Sequence, residues 1–140
     1  MEKNPTYLFV AAAALIDQNG RILVQKRPEG KPMAGLWEFP GGKVESGETP
    51  EASLIRELNE ELTIGVKAQD IEPVAFASEA LEEQHLVLLL YVCRKWIGHV
   101  RSPESLELQW LSVAEIEKLA MPPADGPLVR KLSHRLRDPV

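Results

Sequence analysis

Gly42-Lys43-Val44-Glu45-Ser46-Gly47-Glu48-Thr49-Pro50-Glu51-Ala52-Ser53-Leu54-Ile55-Arg56-Glu57-Leu58-Asn59-Glu60-Glu61-Leu62-Thr63-Ile64 is the stretch on which the fold turns. Thr49 can cap a helix with its hydroxyl, Pro50 suits the first helical position, and Glu51 favours the positive end of the dipole. A helix is therefore predicted from there to about Leu62. At about 100° per residue, Ala52, Ile55, Leu58 and Leu62 fall on one side, the stripe expected to pack inward. Glu57, Glu60 and Glu61 gather on another side at i, i+3 and i+4 spacing, in the half of the helix whose dipole disfavours anions. Two unit charges about 5 Å apart repel by roughly 1 kcal/mol in water. A solvated acidic face tolerates that cost, and for a generic helix this is the commoner case. The alternative is a hard divalent cation. Mg²⁺ typically takes a few carboxylates and keeps waters and substrate phosphates as its other ligands.

Upstream of the helix, Gly41 and Gly42 follow Pro40 and would let the backbone approach an ion or a phosphate closely. Further back, the apolar run Leu8 to Ile16 leads through Asp17, Gln18, Asn19 and Gly20 into Arg21 to Lys26. This predicts strand, turn, strand, with Asn19 and Gly20 supplying positive φ. Arg27 to Pro40 carries Pro28, Gly30, Pro32 and Gly35 with no sustained period, so a long loop is expected, of the kind that usually serves function. Downstream, strands are expected at Val74 to Ala77, His85 to Trp96 and around Glu107 to Leu111. Short helices should follow at Ala114 to Leu119 and Pro127 to Leu136. The mixture predicts an α/β domain with a mixed sheet.

With 140 residues, 44% of them hydrophobic, the chain suits one domain spanning 1–140 and one core. A formal charge of −5 argues against affinity for a nucleic-acid polymer, which needs a broad basic surface. A small anionic substrate stays compatible if a cation carries it. Cys93, the single cysteine, lies in an apolar run, so a buried thiol is expected and no intramolecular disulfide can form. The run Leu8 to Ile16 is short, Glu2 offsets Lys3 ahead of it and Asp17 closes it, which predicts a buried strand instead of a signal or membrane segment. A cytoplasmic location, with no membrane partner, is expected.

Taken together, Gly42, five residues, Glu48, seven residues and then Arg56-Glu57-Leu58-Asn59-Glu60-Glu61, closed by Ile64, resemble the Nudix box. Thr63 is the one departure, standing where the pattern has a glycine that would ease a left-handed helix end. Outside the box, Leu36-Trp37-Glu38-Phe39-Pro40-Gly41-Gly42-Lys43 and Pro122-Pro123-Ala124-Asp125 are similar to the MutT-type branch, the nucleoside triphosphate pyrophosphohydrolases. The resemblance implies a Nudix-type α/β/α sandwich. It also implies a Mg²⁺ site, with Mn²⁺ as a substitute, formed by Glu57, Glu60, Glu61, the Gly41 carbonyl and Glu104.

By the same resemblance Arg56, Glu57, Glu60 and Glu104 are the catalytic set: Arg56 orients carboxylates, Glu48 supports the site, and Glu57 or Glu104 acts as base. Glu104 can equally be a surface carboxylate. Arg27 and Lys43 are candidates to hold phosphates, or else ordinary solvated cations. Phe39 and Trp37 are expected in the core or the pocket wall. Asp125 stands where the branch has an Asn that reads an oxidised guanine. It is either a base-reading acceptor, for instance of a cytosine amine, or a turn and capping residue. The expected reaction is hydrolysis of normal, oxidised or modified nucleoside triphosphates to monophosphate and pyrophosphate, a nucleotide-pool sanitising activity. The rivals are hydrolysis of another nucleoside diphosphate derivative and a non-catalytic nucleotide-binding module. His85 and His134 lack metal-ligand spacing, and no Ser-His-Asp arrangement or other covalent nucleophile stands out.

Overall fold

A computed structural model describes residues 6–103 and 106–137. Among the described residues seven strands form two sheets. β1 (Tyr7–Leu15), β4 (Gly41–Lys43), β5 (Ile71–Ala80) and β6 (His85–Cys93) make one sheet in the order β4-β1-β6-β5. β2 (Ile22–Lys26), β3 (Trp37–Glu38) and β7 (Leu108–Leu111) make the other, in the order β3-β2-β7. β1 runs parallel to β6 and antiparallel to β4, so the larger sheet is mixed. Helices α1 (Pro50–Leu62) and α3 (Asp125–Arg137), with the short α2 (Val113–Ile116), complete an α/β/α sandwich.

The centre of this arrangement is the alanine run. Successive side chains of a strand point to opposite faces, and β1 feeds a separate core on each. Ala11, Ala13 and Leu15 join Leu54, Leu58 and Leu62 of α1 on one face. Ala12, Ala14 and the following Ile16 join Leu128, Leu132 and Ile116 on the other. Small side chains let helices approach from both sides, and the absence of larger side chains there is what places α1 close to the strand.

α1 starts as expected: Thr49 accepts a hydrogen bond from the Ala52 amide at 3.1 Å. Its buried face differs from the expected stripe. Ala52 is exposed, and Ser53, Leu54, Leu58 and Leu62 are buried. The packing row is thus Leu54-Leu58-Leu62 at i, i+4, i+8, while the Ser53 hydroxyl is satisfied by the Lys43 carbonyl at 3.1 Å. Thr63 ends the helix in the left-handed region, φ 59° and ψ 32°, with its amide bonded back to the Asn59 carbonyl. The geometry belongs to the glycine of the pattern; a residue with a Cβ holds it at a cost of roughly 1–2 kcal/mol. Its hydroxyl donates to the Leu62 carbonyl at 2.6 Å.

Several boundaries move. The turn after β1 is held by Asp17, whose Oδ1 accepts from the Asn19 and Arg21 amides at 2.9 Å. Gly20 takes positive φ there and Asn19 does not. β1 and β2 share one bridge, Ile16 to Ile22, and then part into different sheets. The expected loop contains β3, and β4 follows it. β5 is longer than expected, β6 stops at Cys93, and α3 begins at Asp125. Cys93 is fully buried, and desolvation raises its thiol pKa. Among the described residues no helix is long and apolar enough to cross a membrane.

Candidate active site

β4 and α1 meet where the glycines were noted. The Pro40 carbonyl accepts from the Ala13 amide at 2.9 Å, and Gly41 and Gly42 pair with Ala12 and Ala11. A Cβ on Gly41 would lie 2.1 Å from the Ala11 carbonyl oxygen. One on Gly42 would lie 2.5 Å from the Glu57 carboxyl carbon. At Gly41 the clash is with backbone and no side chain fits; at Gly42 a side chain would have to displace the Glu57 carboxylate, which lies directly against the β4 backbone.

Arg56 organises the acids around that point. Its Nε and Nη2 donate to the two carboxylate oxygens of Glu48 at 2.7 and 3.0 Å, a bidentate pair. Its Nη1 donates to Glu57 and to Glu60, each at 3.2 Å. The hydrogen bonds from Arg56 hold the Glu48 carboxyl below its ordinary value, and the Glu48 bond with the neighbouring acids raises the guanidinium pKa. The side chain of Glu57 is 14% exposed and that of Glu60 is 59% exposed, so the two differ in access to solvent although they share one donor.

Beside this network opens a cavity of about 470 Å³. Gly41, Gly42, Lys43 and Glu61 line it, together with Arg27, Glu38, Phe39 and Asp125. All four residues expected to touch substrate therefore face one space. Phe39 is buried and packs in the core while forming part of the wall, and Lys43 is exposed. Arg27 is bound by its Nη1 to Glu38 at 2.8 Å and by its Nε to the Pro32 carbonyl at 2.8 Å, which anchors the loop it enters.

Asp125 opens α3 yet is 5% exposed. Burial pushes its carboxyl up to about 7; Glu38 and Glu79 push the same way, and Arg27 pulls against them. It thus stands at a helix start, as a capping residue would, but in a buried position on the cavity wall. Glu38, Glu79 and the buried Gln25 also line the cavity and were not singled out from sequence. Gln25 gave a signal, being a polar residue that ends the otherwise apolar Ile22-Leu23-Val24.

For a divalent cation the donor set fits in kind: carboxylate and carbonyl oxygens, the ligands of hard ions, with Glu57 seated against Gly42. Among the described residues no three His, Cys, Asp or Glu side chains gather into a finished cluster. Arg56 holds Glu57 and Glu60 instead, and Glu104 lies outside the described residues.

A family model for the NUDIX domain matches residues 6–132. The 8-oxo-dGTP diphosphatase of Escherichia coli K12 is 31% identical over 125 residues, covering 89% of this chain and 95% of that protein. The CTP pyrophosphohydrolase of the same strain is 38% identical over 122 residues, covering 87% and 89%. Among solved structures, that of the E. coli ORF135 protein superposes with a TM-score of 0.84 at 33% identity, covering 97% of this chain and 96% of that one.

Proposed function

This chain belongs to the Nudix family, a MutT-like hydrolase of pyrophosphate bonds, and from that premise we propose that it cleaves nucleoside triphosphates into monophosphate and pyrophosphate with Mg²⁺, or Mn²⁺ in its place. The observation that carries this is one cavity that has Gly41, Gly42 and Glu61 among its lining residues, close to Glu57 and Arg56, and the buried Asp125 as well. Such a space takes an elongated ligand with phosphates at the acids and a base at Asp125.

Glu57, Glu60, Glu61 and the Gly41 carbonyl would hold the cation, with Glu104 as a further acid. When bound, it supplies neutralisation of the phosphate oxygens and polarisation of water. Arg56 fixes where the carboxylates stand, tied down itself by Glu48. A water oxygen attacks phosphorus in the triphosphate, its proton passes to Glu57 or Glu104, and the bond between the α and β phosphates breaks. Lys43 and Arg27 donate to phosphate oxygens, Arg27 by exchanging its bond to Glu38. Phe39 walls the base side.

At the far end Asp125, when ionised, accepts from a cytosine amine or a guanine N–H edge; when protonated it also donates. Relatives named CTP pyrophosphohydrolase and 8-oxo-dGTP diphosphatase support both bases. The test is a panel of normal, oxidised and methylated nucleoside triphosphates plus a nucleotide sugar, with Mg²⁺, scoring pyrophosphate against phosphate. Pyrophosphate release from a cytidine or oxidised guanine nucleotide is expected. Turnover of the sugar nucleotide alone would overturn the assignment.

A further inference from the structure

Asp125 at the start of α3, Glu79 near the end of β5 and Glu38 on β3 line one cavity. α3 packs against β5, and the charges of Glu79 and Glu38 both act on Asp125. Acids that share a wall are commonly a solvated face, but this group is largely withdrawn from water. Asp125 is 5% exposed, and its carboxylate accepts no hydrogen bond among the described residues. Glu38 and Glu79 are half-buried. Gln25, paired with Glu38 across the strands, is 6% exposed, and its side-chain oxygen also lacks a partner among the described residues. Buried acceptors without donors oppose folding. On a cavity wall they point to a ligand that brings donors.

The cations nearby balance this wall only in part. Arg27 opposes the two glutamates at Asp125, but its Nη1 is bound to Glu38 at 2.8 Å, so one acid is already compensated. Lys31 and Lys43 line the cavity too, yet both are exposed, where water and salt screen them. Asp125 and Glu79 remain, with no ion pair among the described residues. A neutral base offers them donors and leaves their charge as it was. A base with a positive charge of its own answers both needs, and the attraction grows where water is excluded. Methylation of cytosine at its N3 ring nitrogen gives such a base: the ring becomes a cation, and the exocyclic amine still donates.

We propose that the Asp125 end of the cavity selects nucleotides with a cationic base, of the class of N3-alkylated cytosine, through contact with Asp125 and the charge of Glu79. The inference rests on the proposed base end of the cavity, and deepens it by naming charge as the property selected there.

The test compares 3-methyl-CTP with 5-methyl-CTP in the Mg²⁺-dependent pyrophosphate-release assay. Each carries one added methyl group, and only the first has a charged base. Wild type should favour 3-methyl-CTP in kcat/KM by about tenfold, a difference of about 1.4 kcal/mol. Glu79→Gln should lower that ratio, and Asp125→Asn should bring it to about one. Each ratio is internal to its variant, so a partly folded sample does not alter it. The monophosphates add a readout without turnover. Burial pushes the Asp125 carboxyl up to about 7, and a bound cation favours its ionised form. Binding of 3-methyl-CMP at pH 7 should therefore release a fraction of a proton, measured by calorimetry across buffers of different ionisation enthalpy. Binding of 5-methyl-CMP should release none, and Asp125→Asn should abolish the release. Equal kcat/KM for the two triphosphates, a preference for 5-methyl-CTP, or a preference for the cation that survives Asp125→Asn would overturn this inference alone. If no nucleoside triphosphate is cleaved to pyrophosphate, the proposed function fails with it.

Discussion

Beside one end of the cavity Glu48 and Arg56 face each other in a bidentate ion pair, partly open to solvent, with Glu57 and Glu60 on the same guanidinium. Asp125, one of the residues that line it, is buried, with the charges of Glu38 and Glu79 acting on it and that of Arg27 opposing them. Arg56 makes ionisation of Glu48 easier; burial makes ionisation of Asp125 harder. A group meant to hold charge steadily needs a fixed partner. A group meant to discriminate hydrogen-bond patterns gains from desolvation, because a mismatched ligand leaves it unsatisfied. The molecule places one solution beside the end proposed for the phosphates and the other at the end proposed for the base.

The largest expected effect is at the charged end. Glu57→Gln keeps the size and the contact with Gly42 but removes the charge, and should cut kcat by roughly 10²–10³ while Tm moves by only a few degrees. Activity near wild type in a pyrophosphate-release assay would break the contrast between the two ends. Arg56→Lys comes next. A lysine cannot make the bidentate bond to Glu48 and still reach Glu57 and Glu60, so a loss of about 10–100-fold in kcat is expected. A variant with unimpaired kcat would show that the network serves stability alone.

Asp125→Asn probes the other end. The folded state prefers the protonated acid, so ionisation begins to cost stability as pH rises past the ordinary value of 3.8, and the cost is complete above about 7. The Asn variant should therefore be more stable than wild type at pH 8, by on the order of 2–4 kcal/mol. That advantage should shrink towards pH 5 and vanish near pH 3.5. Denaturant titrations at those pH values measure it; a pH-independent difference would remove the case for a desolvated acid. The smallest effect is expected at Thr63→Gly, which relieves the left-handed helix end and should raise stability by about 1 kcal/mol, roughly 3 °C in Tm. A lower Tm would mean that the Thr63 hydroxyl contributes more than its backbone costs.

The parts legible in the sequence were those whose signals are local. Thr49, Pro50 and the carboxylate spacing specify α1 from within, and the pattern around them carries the family. Ala52 misled because a helix face is chosen by what it meets: the leucine row at 54, 58 and 62 fits the two-sided alanine strand, and small Ala52 gains nothing by displacing it. β3 and β4 were hidden in a stretch of prolines and glycines because their pairing is with distant segments, Lys43 with Val10 and Glu38 with Gln25. The cavity combines residues from both sheets, α1 and the start of α3. Gln25 and Glu38 were not recognised because only tertiary structure brings them to Asp125 and the acids. Asp125 offered two readings, a base-reading acceptor and a turn or capping residue, and its burial at the start of α3 depends on packing that the sequence does not display.

One consequence of the parallel pairing concerns time. β1 lies against β6 along its whole length, Tyr7 beside His85 and Leu15 beside Cys93. Such a contact joins the first strand to one made much later, and pairings of that kind form slowly. The acidic helix emerges between them during synthesis. It can acquire its turns early, but β1 has its two neighbours only once β6 has arrived. Chains stalled before His85 should expose β1 with one edge bare, an opening for association with other chains.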